Sequence, residues 1–249
     1  MLPENKNTSM RATSVDIRYV NALLERGRRA GANVDGYIER LGIQPAVLAE
    51  PNARLSGELY VKLASLLVRA TQDEFIMLGG QPRTKPGTFA MMAHTVIQCP
   101  TLHKAMLRAG QFYRLFVNDI RFKLTQQGDK AHYSIRFTDP SIDWDHTSTE
   151  SLLVIFHRFF SWLIGQRLVL DHVRLTCPTP DNAAEFRFLF RCPIKFGSDT
   201  DAFVFSTRYL DFPLHQTPET LKQFLREAPG NMVVIPDNDQ SLAAQIRGI

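Results

Sequence analysis

Cysteine is scarce in this chain. Its 249 residues hold three cysteines, Cys99, Cys177 and Cys192, and no CxxC pair. That count and spacing exclude a disulfide framework and a zinc ribbon and fit reduced thiols in a cytoplasm. A secretion signal is missing too, since Met1 to Ser14 is polar and has no apolar central region. The longest apolar run, Leu152 to Ile164, is broken by His157, Arg158 and Ser161 and is too short to span a bilayer, so no membrane partner is expected. Excess charge of one sign is also lacking. A formal balance of +4 is far from the dense basic footprint of a module that neutralises many phosphates unaided. Gly79-Gly80 lacks the flanks of a phosphate loop and reads as a turn, and Ser, His and Asp occur without a nucleophile elbow.

What remains is an ordinary globular composition, 44% hydrophobic and 22% charged, with enough apolar residues for a substantial core. Residues 1–14 carry little to bury and read as a disordered leader. Val15 to Ala30 places Ile17, Val20, Leu23 and Leu24 on one helical face, ending in a basic tail of Arg26, Arg28 and Arg29 before Gly31. Two short helical pieces broken at Gly42 and Pro45 follow. A longer helix then starts after Ser56, with Leu59, Leu63, Leu66, Leu67 and Ala70 at helical spacing. Pro82, Pro86 and Gly87 mark a loop, so residues 15–80 form a helical N-terminal subdomain and 81–228 a second unit.

The second unit opens with a helix capped by Thr101, whose stripe of Leu102, Ala105, Met106, Ala109, Phe112 and Phe116 is weakened by Gly110. Ile120, Phe122 and Leu124 alternate with polar residues, as do Tyr133, Ile135 and Phe137 beyond Gly128-Asp129, which predicts an antiparallel hairpin with one apolar and one basic face. Thr147-Ser148-Thr149-Glu150 has the spacing of a capping box ahead of a broadly apolar helix that stops at Gly165. A strand at 171–177, a short helix around Phe186, strands at 194–196 and 202–205, and a helix opened by Thr217-Pro218 complete the order. The expected fold class is α+β: an N-terminal helical segment followed by a mainly antiparallel sheet covered by helices. Residues 229–249 read as linker until Ser241 starts a new amphipathic turn.

Several separated motifs occur in a fixed order. They are Pro86-Gly87-Thr88-Phe89, Cys99-Pro100-Thr101-Leu102 with Ala105, Glu150-Ser151-Leu152-Leu153 and Trp162-Leu163-Ile164-Gly165. Cys177-Pro178-Thr179-Pro180, the Phe186 to Phe190 run with Pro193, Phe196-Gly197 and Tyr209 to Leu214 come after them. As a set they resemble the sensor domain of AraC/XylS-type bacterial transcription regulators, in the branch labelled arabinose-binding-like. Ala90 stands where that family commonly has glycine, and Phe190-Arg191 replaces its Phe-Gly.

The resemblance implies a cytoplasmic ligand-sensing and dimerisation domain. In such regulators, segments like Ser241 to Ile249 lead into a C-terminal DNA-binding domain with two helix-turn-helix units, so DNA contact is expected only through a domain beyond this chain. A small-molecule effector and a second copy of the chain are the expected partners, and no cofactor or metal is. The dimer surface is expected on Thr217 to Arg226 or Leu102 to Phe116.

Site residues are sought where polar groups interrupt apolar segments. Asp143, Trp144, Asp145, His146, Glu150 and His157 gather acids, imidazoles and an aromatic near one helix start, but without the tight spacing of metal ligands. Glu150 reads most simply as the returning arm of the capping box and His157 as a core histidine. Contact with a small organic effector is assigned to Tyr113, Arg136, Trp144, His146, Glu150 and His157, because apolar pockets orient their ligands with a few polar groups. No catalytic residue is assigned. Arg121, Lys123, His132 and Arg136 share the second face of the hairpin, which is expected to meet solvent. The competing readings are a stand-alone small-molecule-binding protein or enzyme of similar architecture, and a purely structural dimerisation module.

Overall fold

The computed structural model describes residues 14–75, 84–116, 119–180, 183–228 and 230–233. The leader up to residue 13, Gly79-Gly80 and the turn expected from Ser241 lie outside them.

Two short strands, β1 (Ser14–Asp16) and β2 (Arg54–Ser56), pair antiparallel and each runs straight into a helix. α1 (Ile17–Arg29) starts one strand later than its apolar periodicity predicts, because Val15 is taken up by β1. The Asp16 carboxylate accepts from the Arg18 amide at 2.9 Å, satisfying one orphan donor of the first turn. α2 (Val34–Arg40), capped by Asn33, and α3 (Pro45–Ala49) follow where expected. α4 (Gly57–Thr71) is capped by Ser56 and packs on α1 through fully buried Val20, Leu63 and Leu67.

The sequence from Thr88 onward builds a second, larger core. It consists of α5 (Thr88–Val96), α6 (Leu102–Phe116), β3 (Ile120–Gln127), β4 (Lys130–Phe137), α7 (Thr147–Leu163), β5 (Leu170–Arg174), α8 (Ala183–Phe190), β6 (Ile194–Lys195), β7 (Asp201–Ser206), α9 (Pro218–Glu227) and α10 (Gly230–Val233). The five strands form one sheet in the order β3-β4-β7-β5-β6, antiparallel except for β5 and β6, so the fold is the expected α+β class. Along the β3–β4 hairpin the alternation holds: Tyr133 and Ile135 are buried while Lys123 and Arg136 are exposed. Phe156 and Phe160 of α7 pack on Tyr133, with ring centroids 5.9 Å and 5.0 Å away. Two of the ordered motifs meet where the Leu102 amide donates to the Phe212 carbonyl at 2.9 Å.

Two local expectations are corrected. Glu150 is not the arm of a capping box. Residue 146 is the N-cap, in the left-handed region at φ 59°, and Asp143 supplies the capping oxygens, accepting from the amides of Ser148 (2.9 Å) and Thr149 (3.0 Å). The start of the expected linker, Gly230–Val233, is a helical turn. Its Met232 is buried and its carbonyl accepts from Arg158 Nη1 at 2.8 Å, so the chain leaving α9 folds back on α7.

Gly110 has a packing role that offsets its low helix propensity. A Cβ there would lie 3.1 Å from the Phe122 carbonyl oxygen of β3, backbone that cannot move without disturbing the sheet. Helix propensity favours replacing this glycine by less than about 1 kcal/mol, whereas overpacking costs about 1–3 kcal/mol. Gly110→Val is therefore expected to lower the midpoint of urea unfolding, and an unchanged or higher midpoint would refute this packing role.

Candidate functional site

The helical layer meets α7 through buried charge. Arg18, in the first turn of α1, donates to both oxygens of Glu150, Nη2 to Oε2 at 2.6 Å and Nη1 to Oε1 at 3.2 Å, and Tyr19 Oη donates to the same Oε2 at 2.6 Å. The Glu150 side chain is 1% exposed. Burial raises its carboxyl above the ordinary range, against the opposing pull of Arg18 and Tyr19.

Seven residues beyond Tyr19, on the same face of α1, Arg26 reaches the start of α7. Its Nη1 donates to Thr147 Oγ1 at 2.9 Å and its Nη2 to Asp145 Oδ1 at 2.7 Å, with Asp143 Oδ1 at 3.6 Å. The expected basic tail of α1 is thus divided. Arg28 and Arg29 are exposed, while Arg26 is 3% exposed and part of the junction.

A cavity of about 520 Å³ lies beside this junction, bounded by α1, α4, α5, α7 and α9. That volume falls in the range of small-molecule sites. Most of its wall is apolar, with Val68, Phe89, Ile155, Phe156, Leu225 and Met232 among the lining residues. Its polar lining includes Asp16, Arg26, Tyr60, Arg69, Ser148 and Glu150. Within it, Arg26 Nε and Ser148 Oγ are buried and have no hydrogen-bond partner. On another wall Glu74 accepts from the amides of Gly87 (3.3 Å) and Phe89 (2.7 Å), so a carboxylate holds the Pro86-Gly87-Thr88-Phe89 turn at the start of α5.

Of the six residues assigned to effector contact, Glu150 lies on this wall. Tyr113 is buried in the aromatic core behind it, between Phe75 at 5.5 Å and Phe156 at 5.8 Å, both of which line the cavity. His157 is a core histidine: its Nε2 lies 2.8 Å from the Leu168 carbonyl, an acceptor, so that nitrogen carries the proton. Burial lowers its pKa to about 4. Trp144 is 41% exposed and serves as a platform for the guanidinium groups of Arg26 (4.7 Å) and Arg29 (3.9 Å). His146 occupies the left-handed cap position, and Arg136 is exposed on the outer face of β4.

The residues not anticipated are Arg18, Tyr19, Arg26 and Tyr60, all in the helical layer. The available signal was a polar residue inside the apolar stripe of α1, with Tyr19 and Arg26 seven apart. Among the described residues no group of three or more His, Cys, Asp or Glu is placed to hold a metal, and no helix is long and apolar enough to cross a membrane.

Comparison with known proteins places these features in context. The family described as the arabinose-binding domain of AraC transcription regulators, N-terminal, matches residues 31–214. The ornithine utilization regulator of Pseudomonas aeruginosa is 20% identical over 236 residues, which is 95% of this chain and 70% of that protein. Among solved structures, the transcriptional regulator CdpR from Pseudomonas aeruginosa aligns with a TM-score of 0.38 and 14% identity over 76% of this chain, which spans 58% of that one.

Breaking the junction from one side is expected to be costly. Arg18→Leu strands a buried carboxylate and should lower unfolding free energy by about 3–5 kcal/mol, whereas adding Glu150→Leu to it should recover most of the loss. Urea denaturation of the single and double variants checks this; a double variant as unstable as the single would refute it. His157 sets an acid limb. Between its unfolded value of 6.5 and about 4 in the folded protein, the unfolded chain takes up a proton and the folded one does not. Stability should therefore fall by about 3 kcal/mol as pH drops through that window. His157→Gln should flatten this part of the profile of melting temperature against pH.

Proposed function

The chain belongs to the AraC family of transcription regulators, matching their N-terminal arabinose-binding domain over residues 31–214, and from that premise we propose a ligand-sensing and dimerisation domain. It binds a small organic effector in the cavity beside the Arg26–Glu150 junction and controls a DNA-binding domain carried elsewhere in the regulator, in the cytoplasm and without catalysis. The observation that carries this reading is the cavity itself. Its walls are mainly apolar, and Arg26, Tyr60, Ser148 and Glu150 are among the residues that add polar groups to them.

The geometry also supports a route for the signal. An effector changes transcription only if it binds two states of the regulator with different affinity. Leu225 of α9, Ala228 and Met232 line the cavity, and the Met232 carbonyl is tied to Arg158 of α7. The segment that follows α9 thus lines the cavity, which supports a coupling between occupancy and the placement of that segment.

For dimerisation, α9 has spent its apolar face internally: Phe224 stacks on Trp162 at 4.3 Å and Leu221 is fully buried. The end of α6 has not. Leu115 is 78% exposed and Phe116 53%, which favours that end of the Leu102 to Phe116 helix as the paired surface.

Native mass spectrometry of protein purified from its own host is expected to reveal a co-purified metabolite, and a panel that includes ornithine, chosen for the relative's name, is expected to contain a compound that raises the melting temperature. At 100 times its Kd such a ligand stabilises by about 2.7 kcal/mol. Ala64→Trp and Val68→Phe, each filling the cavity, should abolish the shift. If no compound shifts the wild type, the sensing reading fails and the structural-module reading takes its place. The gene's reading frame is expected to continue past Ile249 into two helix-turn-helix units, and a stop codon there would sink the link to a DNA-binding domain.

A further inference from the structure

One helix carries the cavity out to the surface. Tyr60, Ala64 and Val68, spaced four apart along α4, line it, while Ser65 and Arg69, one position further round the helix, line both the cavity and an adjoining surface cleft. Those two residues mark the place where the interior space meets solvent. Arg69 lies in the last turn of α4 and is exposed. The cleft beyond it brings Arg40 and Lys62 to the same spot, over an apolar floor of Leu41, Val61 and Leu66.

The charged residues of the cavity lining are Arg26, Arg54 and Arg69 on one side of the balance and Asp16, Glu74 and Glu150 on the other. All but one are engaged within the fold. Arg26 is held by Asp145 at 2.7 Å with Asp143 at 3.6 Å, and Glu150 by Arg18 at 2.6 Å. Asp16 accepts from the Arg18 amide, Arg54 donates to Oγ and the carbonyl of Ser14, and Glu74 accepts from the amides of Gly87 and Phe89. Arg69 is the exception: among the described residues it forms no ion pair, and neither does Arg40 in the cleft, whereas Lys62 is taken by Glu58 at 2.5 Å.

The lining as a whole is neutral, so the placement of the charges decides what a ligand's head meets. Inside, burial already raises the Glu74 carboxyl, and a second carboxylate beside it would be disfavoured further. At the mouth, Arg40, Lys62 and Arg69 face one carboxylate, that of Glu58. An anionic head is favoured there, where a guanidinium can take both oxygens of a carboxylate, and a cationic head is repelled. The interior then receives an apolar body.

We propose that the cavity takes an amphipathic acid, with an apolar body lodged among Val68, Phe89, Ile155 and Leu225 and a single carboxylate at the mouth on Arg69. This deepens the effector reading given above and rests on it for the word effector, but the chemistry of the site is tested separately.

The probes are decanoate, 1-decanol and decyltrimethylammonium, one alkyl chain with three heads, titrated calorimetrically into the full chain below their micellar concentrations. Decanoate is expected to bind one to one, roughly tenfold more tightly than decanol, the scale of one charge-assisted hydrogen bond, and the cation is expected to bind least. Arg69→Gln is expected to weaken decanoate by roughly three- to tenfold and to leave decanol within about twofold, while Arg69→Lys keeps part of the preference. Val68→Phe should abolish binding of both, and Ala64→Trp serves the same purpose if Val68→Phe does not fold. Because the head sits in solvent, raising the salt concentration should narrow the gap between decanoate and decanol.

Decanol or the cation binding as tightly as decanoate overturns the proposal, as does an Arg69→Gln variant that keeps the full preference for decanoate, or a chain that binds none of the three. Decanoate that behaves as expected, in a regulator whose transcription answers no ligand of the cavity, fails the sensing reading and leaves this assignment of the cavity's chemistry standing.

Discussion

Glu150 imposes the constraint on which the arrangement of this molecule depends. A carboxylate 1% exposed in a protein interior has to be met by donors or give up its charge, and here the donors come from a helix more than a hundred residues earlier in the chain. Arg18 and Tyr19 are adjacent on α1, so both reach it only if that helix lies across the start of α7. Arg26, two turns further along, then falls on Asp143, Asp145 and Thr147, the residues that shape and cap the same helix start. One face of α1 therefore fixes both the position and the direction of the helical layer on the larger α+β core.

The cavity follows from that junction. Guanidinium groups bridging to carboxylates hold two apolar surfaces in a set relation without bringing them fully together. The apolar side of α4 faces Phe89 and Phe156 across the gap. Interiors normally close such gaps to crystal-like packing density. Here closure would need Arg26 and Glu150 to give up partners that no apolar contact replaces. Polar residues are thus used as spacers, and the spacing is what leaves a cavity in a layer interface.

The parts of this arrangement that were legible in the sequence are the local ones. Helix periodicity, proline and glycine punctuation and strand alternation predict α2, α3, α4, α6, the β3–β4 hairpin, α7 and α9, because in each the residues that decide the conformation are neighbours in sequence. The capping box at Thr147 to Glu150 shows where this logic breaks. A glutamate at the third turn position can reach back to an amide, but a bidentate guanidinium and a phenol make stronger hydrogen bonds, and Asp143 was available for the amides. Which partner Glu150 takes is decided by a helix 131 residues away, information that no window around Glu150 contains. Arg26 was obscured in the same way: three arginines near a helix end read as one solvated tail, although 26 shares a face with Tyr19 and 28 and 29 do not. Of the six expected effector contacts, the one that lies on the cavity wall is the one whose partners were least visible.

The boundaries of the family match sharpen what this means for specificity. Residues 31–214 include α4, α5 and α7, which supply three walls of the cavity, but not α1 or α9. The unmatched helices hold Arg26, which carries an uncommitted donor, and Leu225, which begins the segment folded back on α7. The family match therefore covers three walls of the cavity with Tyr60, Ser148 and Glu150, while Arg26 and Leu225 sit on the two flanking helices. A change of ligand chemistry within this architecture needs no rebuilding of the sheet. Positions 26, 60 and 148 and the inner side of α9 are all on the cavity's lining, and Glu150 keeps its cation from α1 to hold the layers in place.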